Sequence, residues 1–148
     1  MATKRNAAID LFWKVHPKLY RWSGGRIGGS IMGFPVLLLT TKGRKSGLTR
    51  TKALMYLARG EDLIVVASAL GQPTHPAWWL NLEAEPQAVV EIGSKQFDVR
   101  AREAEGEERE ELWRAFIDKS AAYDAYQAET SRRIPVVVLE RQEASSAQ

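Results

Sequence analysis

The hydrophobic positions change period several times along the chain, and each change predicts an element. Residues 7–22 (AAIDLFWKVHPKLYRW) alternate apolar and basic groups at near-helical spacing, which predicts an amphipathic helix. Pro17 lacks an N–H and clashes one turn back, so a kink or restart is expected there. Residues 23–33 hold five glycines and read as a flexible connector. Residues 35–41 (PVLLLTT) are a continuous apolar run of strand length, as a strand buried on both faces requires. Residues 42–49 (KGRKSGLT) form a turn, and residues 50–59 and 62–69 read as two more strands. A loop over 70–76 leads to a short helix at 77–84, stopped by Pro86. Residues 87–92 and 96–102 form a hairpin around Gly93-Ser94. Acids at Glu107 and Glu108 open a helix over 107–119, where the dipole favours them, and irregular helical signal runs to about residue 130. Residues 134–139 (IPVVVL) close with a strand. Six mainly antiparallel strands with flanking helices predict an α+β protein, and a compact barrel is the economical way to cover such apolar strand edges. Regular strand–helix alternation is missing, so a doubly wound sheet is not expected.

This pattern divides the chain into a helical segment at 1–22, a barrel domain at 23–141 and a loose polar tail at 142–148. Length and composition fit one soluble domain: 148 residues, 45% hydrophobic and 26% charged. The absence of cysteine excludes thiol catalysis and disulfides and is compatible with a cytoplasmic location. The purely apolar runs, 36–39 among them, are far short of a bilayer span, and no secretory h-region follows Lys4 and Arg5.

Charge changes the picture more. The net charge is only +3, yet residues 1–52 carry eleven Lys or Arg against the single acid Asp10, whereas residues 53–148 carry ten against seventeen acids. One end of the chain attracts anions. The densest part is the turn, where Lys42, Arg44, Lys45, Arg50 and Lys52 occur in eleven residues without an acid. Glycines there free the backbone to converge on an anion, and Arg grips phosphate or carboxylate through its fork. A solvated hairpin tip explains the same cluster equally well. Neither GxGxxG nor a P-loop pattern is present.

Two aromatic stretches accompany it. Trp78 and Trp79 cannot both face the core of a short helix, which leaves one for a planar ligand, although packing under the loop is the plainer reading. Tyr123 and Tyr126, three apart, share a helical face, where their hydroxyls suit a carbonyl substrate and their rings suit simple packing. His75 and His16 are the only histidines, and neither belongs to a metal-ligand pattern, so no metal is expected. GxSxG is absent, which argues against a hydrolase. In the N-terminal segment Trp13, Tyr20 and Trp22 interleave with Lys14, Lys18 and Arg21, as in single-strand binders, but without an RNP or KH signature nucleic acid is not the expected partner. Leu11, Phe12, Val15 and Leu19 with the same cations would suit the inner face of an anionic membrane, or packing on the barrel.

Taken in order, Arg26-Ile27-Gly28-Gly29, PVLLLTTKGRKSG with Arg50, VVAS…G…HPAWWLNL and YDAYQAETSRRIPVVVL resemble the deazaflavin-dependent nitroreductase family from about residue 21 to 139. The resemblance implies a split β-barrel that uses coenzyme F-420 to pass a hydride from the reduced deazaflavin to a quinone, nitro compound or activated alkene. It implies that Arg44, Lys45, Ser46 and Arg50, with Thr51, Lys52, Ala53, Leu54 and Met55, hold the phosphate and glutamyl tail. Val66, Ala67, Ser68 and Ala69 would line the ring on one side, and Ala77, Trp78, Trp79, Leu80 and Asn81 on the other. Tyr123 would reach the ring or the acceptor, and Tyr123, Tyr126 and Ser68 would orient or protonate the acceptor. The nitroreductase that lends the family its name has Lys, Tyr and Tyr where this chain has Ala69, Met55 and Ser120, which alters the acceptor pocket. FMN, which also joins a phosphate to a flat ring, and a non-catalytic deazaflavin carrier are the alternatives. The width of the cation cluster favours the longer polyanionic tail. Both a monomer and a homodimer are compatible with the chain.

Overall fold

The computed structural model describes residues 7–25, 29–31 and 33–142. Helix α1 (Ala7–Ser23) is followed by the short strand β1 (Ser30–Ile31), then β2 (Phe34–Lys42), β3 (Thr49–Met55), β4 (Leu57–Arg59) and β5 (Asp62–Val66). A 3-10 turn (Ala69–Gly71) leads to α2 (Ala77–Ala84), the β6 (Gln87–Ile92) and β7 (Lys95–Glu103) hairpin, α3 (Gly106–Lys119), α4 (Ala122–Ala128) and β8 (Val136–Arg141).

The strand pairings are all antiparallel and run β3–β2–β6–β7–β8–β5–β4. The first and last strands of that path, β3 and β4, are separated by Tyr56 alone, so they are two arms of one bent strand and the sheet closes on itself there. The residues expected to form a single strand at 50–59 therefore break at Tyr56. The break lets one stretch of chain serve both ends of the sheet. Beyond the bend β3 pairs only with β2, and the barrel is split along its free edge.

The continuous apolar run of β2 reflects burial on both faces. Leu37 and Leu39 enter the barrel core with Leu63, Val65, Val90, Val99, Val137 and Leu139. Val36 and Leu38 meet Tyr20 of α1 on the outside. A second apolar cluster, built on Phe34, Phe116, Tyr123, Ile134 and Val136, lies under α3 and α4.

Several local expectations are revised. α1 continues through Pro17 as one helix. It also packs on the barrel: Tyr20 is 1% exposed, its hydroxyl donates to Val36 O at 3.0 Å and accepts from Gly93 N–H at 2.8 Å, and Arg21 pairs with Glu91. Tyr20 is thus unavailable for stacking on a nucleic acid. The glycine-rich connector contains β1, which pairs with the start of β2. β5 ends at Val66 rather than at residue 69, and β8 begins at Val136 because Pro135 cannot donate to a ladder. Residues 143–148 and the motif residues Arg26, Ile27 and Gly28 lie outside the described residues, as do the side chains of Leu11, Phe12 and Trp13.

Candidate functional site

A cavity of about 490 Å³ opens along the split between the free edge of β3 and the end of β5, with α2 and α4 contributing its other walls. That is room for one cofactor-sized occupant. The register explains how β3 serves it. Leu48 accepts from Gly43 N–H and Tyr56 donates to Pro35 O, so the even-numbered residues of β3 direct their main chain at β2. Thr51, Ala53 and Met55 must then present N–H and C=O along the unpaired edge. Ala53 is 2% exposed with its side chain against α1, and Thr51 Oγ1 is bound to Thr40 and Arg21. Both reach the cavity through the backbone.

The basic turn forms one end of the cavity, with Arg44, Lys45, Ser46, Arg50 and Lys52 in its lining. Among the described residues no carboxylate pairs with Arg44, Lys45 or Arg50, whereas Arg21 and Arg102 on other faces do have acidic partners. The turn is built around Asn81, a side chain of α2 that is only 4% exposed. Its Oδ1 accepts from Arg44 N–H at 3.2 Å and Arg44 Nη1 at 3.0 Å, and its Nδ2 donates to Thr41 Oγ1 at 3.1 Å. Asn81 ties α2 to the turn and aims a cation whose charge it leaves uncompensated.

The far end is apolar and aromatic, with Met55, Val66, Ser68, Ala69, Ala77, Trp78 and Tyr123. Tyr123 is 4% exposed. Its ring packs edge-on against Phe34, Phe116 and Tyr126 at centroid distances of 5.6, 5.1 and 5.7 Å. Its hydroxyl makes no hydrogen bond among the described residues, although it is not a fully enclosed atom, which leaves it facing the cavity. Burial pushes this phenol well above its ordinary value of 10.0, with nearby Tyr126 adding to the shift. The folded protein therefore keeps Tyr123 neutral where the unfolded chain ionises. The resulting stability is complete below pH 10 and is lost as pH rises beyond it. Urea midpoints measured from pH 8 to 11 should fall less steeply for Tyr123→Phe than for wild type; parallel slopes would contradict the assignment.

Most of the residues singled out in the sequence converge here. Arg44, Lys45, Ser46, Arg50 through Met55, Val66, Ser68, Ala69, Ala77, Trp78, Asn81 and Tyr123 all line the cavity. Ala67, Trp79, Leu80 and Tyr126 do not. Ala67 is fully buried in the core, and its N–H continues the β5–β8 ladder to Pro135 O. Trp78 and Trp79 are both buried in one cluster, contrary to the expectation that a short helix could bury only one; Trp78 packs and lines the cavity at once. Tyr126 stands behind Tyr123, and its backbone abuts Gly71 so closely that a Cβ there would meet Tyr126 O at 3.2 Å. Thr41, Gly43 and Pro76 also line the cavity and were missed. Gly43 lies inside the turn whose glycines free the backbone, and Thr41 adjoins it, so both belong to the same sequence signal. His75 is outside the lining: its Nδ1 accepts from Arg132 Nη1 at 3.0 Å, since a guanidinium only donates.

Comparison with known proteins agrees with this geometry. An F420H(2)-dependent quinone reductase of Mycobacterium tuberculosis is 39% identical over 142 residues, covering 93% of this chain and 95% of that protein. The solved structure of an F420-H2 dependent reductase, FDR-A, superposes with a TM-score of 0.65 at 42% identity, over 72% of this chain and 94% of that one. A second solved relative, a domain-swapped dimer, gives a TM-score of 0.67 at 34% identity over 90% and 100%. The model of the F420H(2)-dependent quinone reductase family matches residues 12–141, a span that takes in the basic turn, the split edge and the tyrosine wall, and the chain belongs to that family.

Proposed function

We propose that this protein reduces a quinone with the reduced deazaflavin coenzyme F-420, holding the coenzyme's acidic tail in the basic turn and its ring against the apolar end of the cavity. The observation that carries this reading is the union, in one cavity, of an aromatic wall with Arg44, Lys45 and Arg50, which pair with no acid among the described residues. The fit has a structural basis: Arg44, Lys45 and Arg50 suit phosphate and carboxylates, and Trp78, Met55 and Val66 suit a flat ring. When bound, the coenzyme supplies a hydride from C5 of its ring, which favours two-electron transfer.

The chain's own residues supply orientation and protons. Tyr123 donates its unpartnered O–H to the acceptor carbonyl. Its raised pKa makes it a poor proton source, so it orients the acceptor and stabilises charge developing on the oxygen. Ser68 Oγ, which makes no hydrogen bond among the described residues, relays a proton from solvent to the reduced product. Tyr126 acts by supporting the Tyr123 ring.

Titration with purified F-420 and with FMN, followed by tryptophan quenching, tests the coenzyme, and oxidation of reduced F-420 by a soluble menaquinone analogue tests the reaction. Saturable F-420 binding with turnover is expected. Preference for FMN overturns the coenzyme, and tight F-420 binding without turnover leaves a carrier.

A second observation bears on where the acceptor is met. No helix among the described residues is long and apolar enough to cross a membrane. On α1, however, Val15, Leu19 and Trp22 are 40, 42 and 80% exposed on one face, beside exposed Lys14 and Lys18. We infer that this face rests on an anionic membrane that holds a lipid quinone. The full chain should sediment with phosphatidylglycerol vesicles, and Leu19→Ser/Trp22→Ser should not; a wild type that stays in the supernatant refutes the contact.

A further inference from the structure

We infer that Arg132, which does not line the cavity, is a positioning residue for the hydride transfer: its guanidinium locks the turn that carries Ser68 and Ala69 into the cavity wall. The inference rests on the reading of the cavity as a deazaflavin and quinone site.

Apart from the packing of Gly71 against the Tyr126 backbone, the turn has few hydrogen bonds to hold it among the described residues. The β5–β8 ladder ends where Ala67 N–H donates to Pro135 O. Beyond that point the turn makes two short-range bonds of its own, Gly71 N–H to Ser68 O and Gln72 N–H to Ala69 O. Its conformation is also unfavourable. Ala69 has φ +47°, and it is the one non-glycine residue with positive φ among those described. That left-handed geometry strains any side chain with a Cβ and persists only where the surroundings impose it.

Arg132 imposes it. Nε donates to Gln72 O at 2.9 Å, Nη2 to Ser68 O at 2.7 Å, and Nη1 to Ala67 O at 3.2 Å and to His75 Nδ1 at 3.0 Å. The planar fork thus collects three carbonyls from a six-residue stretch, fixing the peptide plane that enters Ala69 and the one that leaves Gln72, so the turn is gripped before and after Ala69. It makes no ion pair among the described residues, so these bonds are its structural commitment. Without the guanidinium, Ala69 can relax to negative φ. The peptides flanking it then rotate, and both lining residues move relative to the Tyr123 wall. Hydride transfer is steeply sensitive to such displacement, whereas tail binding at the opposite end of the cavity is not.

The test uses the full chain as wild type, Arg132→Gln, Ala69→Gly and the double variant. With reduced F-420 and a menaquinone analogue, R132Q should lower kcat about tenfold while F-420 affinity changes less than threefold. Adding A69G should restore a substantial part of kcat, because glycine adopts φ +47° without strain. Without coenzyme, amide exchange over residues 68–72 should quicken at least tenfold in R132Q, with the β2–β3 amides unchanged. Unaltered exchange overturns the inference whatever the protein's activity. So does an unaltered kcat, a fall in kcat matched by an equal loss of F-420 affinity, or no recovery on adding A69G. A wild type that slows no exchange relative to R132Q fails the inference; a wild type that does, yet never oxidises reduced F-420, fails the functional reading instead.

Discussion

Lys45→Glu combined with Arg50→Glu should weaken F-420 binding by about a thousandfold or more. Each cation is placed to make a charge-assisted bond to the tail, worth about 1.5–3 kcal/mol. Losing two such bonds costs about 3–6 kcal/mol, or two to four powers of ten in affinity. Reversal adds repulsion between the new carboxylates and the acidic tail, which the remaining turn cations Lys42, Arg44 and Lys52 offset only in part. The fold should survive, since both residues are exposed and neither supplies an apolar contact to the core. A control with the same change in net charge, Arg59→Glu/Lys95→Glu, lies outside the cavity lining and should keep near wild-type affinity at moderate salt. Tight binding in the Lys45/Arg50 variant, or equal loss in the control, would show that the tail is not held by the turn.

Asn81→Leu should strike stability and binding together. Leucine fills a similar volume but strips an acceptor from Arg44 N–H and Arg44 Nη1 and a donor from Thr41 Oγ1, which is itself 2% exposed. Leaving buried polar groups unsatisfied costs about 1–3 kcal/mol each, so a loss of roughly 2–4 kcal/mol is expected. At roughly 2–4 °C per kcal/mol for a chain of this size, the melting temperature should drop by about 5–15 °C. F-420 affinity should fall by about tenfold as Arg44 loses its aim. Thermal melts and the same titration check both halves. A melting temperature within about 2 °C of wild type would mean that Asn81 does not hold the turn, and undiminished affinity would mean that Arg44 does not need it.

These two predictions also mark how differently the site's parts could be read. Lys45 and Arg50 announce themselves, because five cations without an acid in eleven residues is a charge anomaly visible in one dimension. Asn81 entered through a resemblance, with a role in binding the coenzyme. The structure adds that its amide is already engaged with Arg44 and Thr41, a fact that depends on residues about forty positions away. Tyr126 and Trp79 share a motif with true lining residues, and adjacency in sequence could not separate them. On α2 the helix turns Trp79 into the core, and on α4 Tyr126 falls behind the ring of Tyr123.

By itself the sequence determined most of the elements, the antiparallel architecture and the polarity of the site. These follow from local information: apolar periodicity sets helix or strand, glycine and proline set turns, and clustered cations set an electrostatic field however the chain folds. The tertiary structure alone decided that the strand at 50–59 bends at Tyr56, which leaves β3 one unpaired edge and opens the split. It also decided that Thr51 and Ala53 serve the cavity through their backbone, and that Arg132 braces a left-handed alanine sixty-three positions earlier in the chain. Main-chain direction depends on strand register, and side-chain support depends on long-range closure; neither leaves a trace in residue type or spacing.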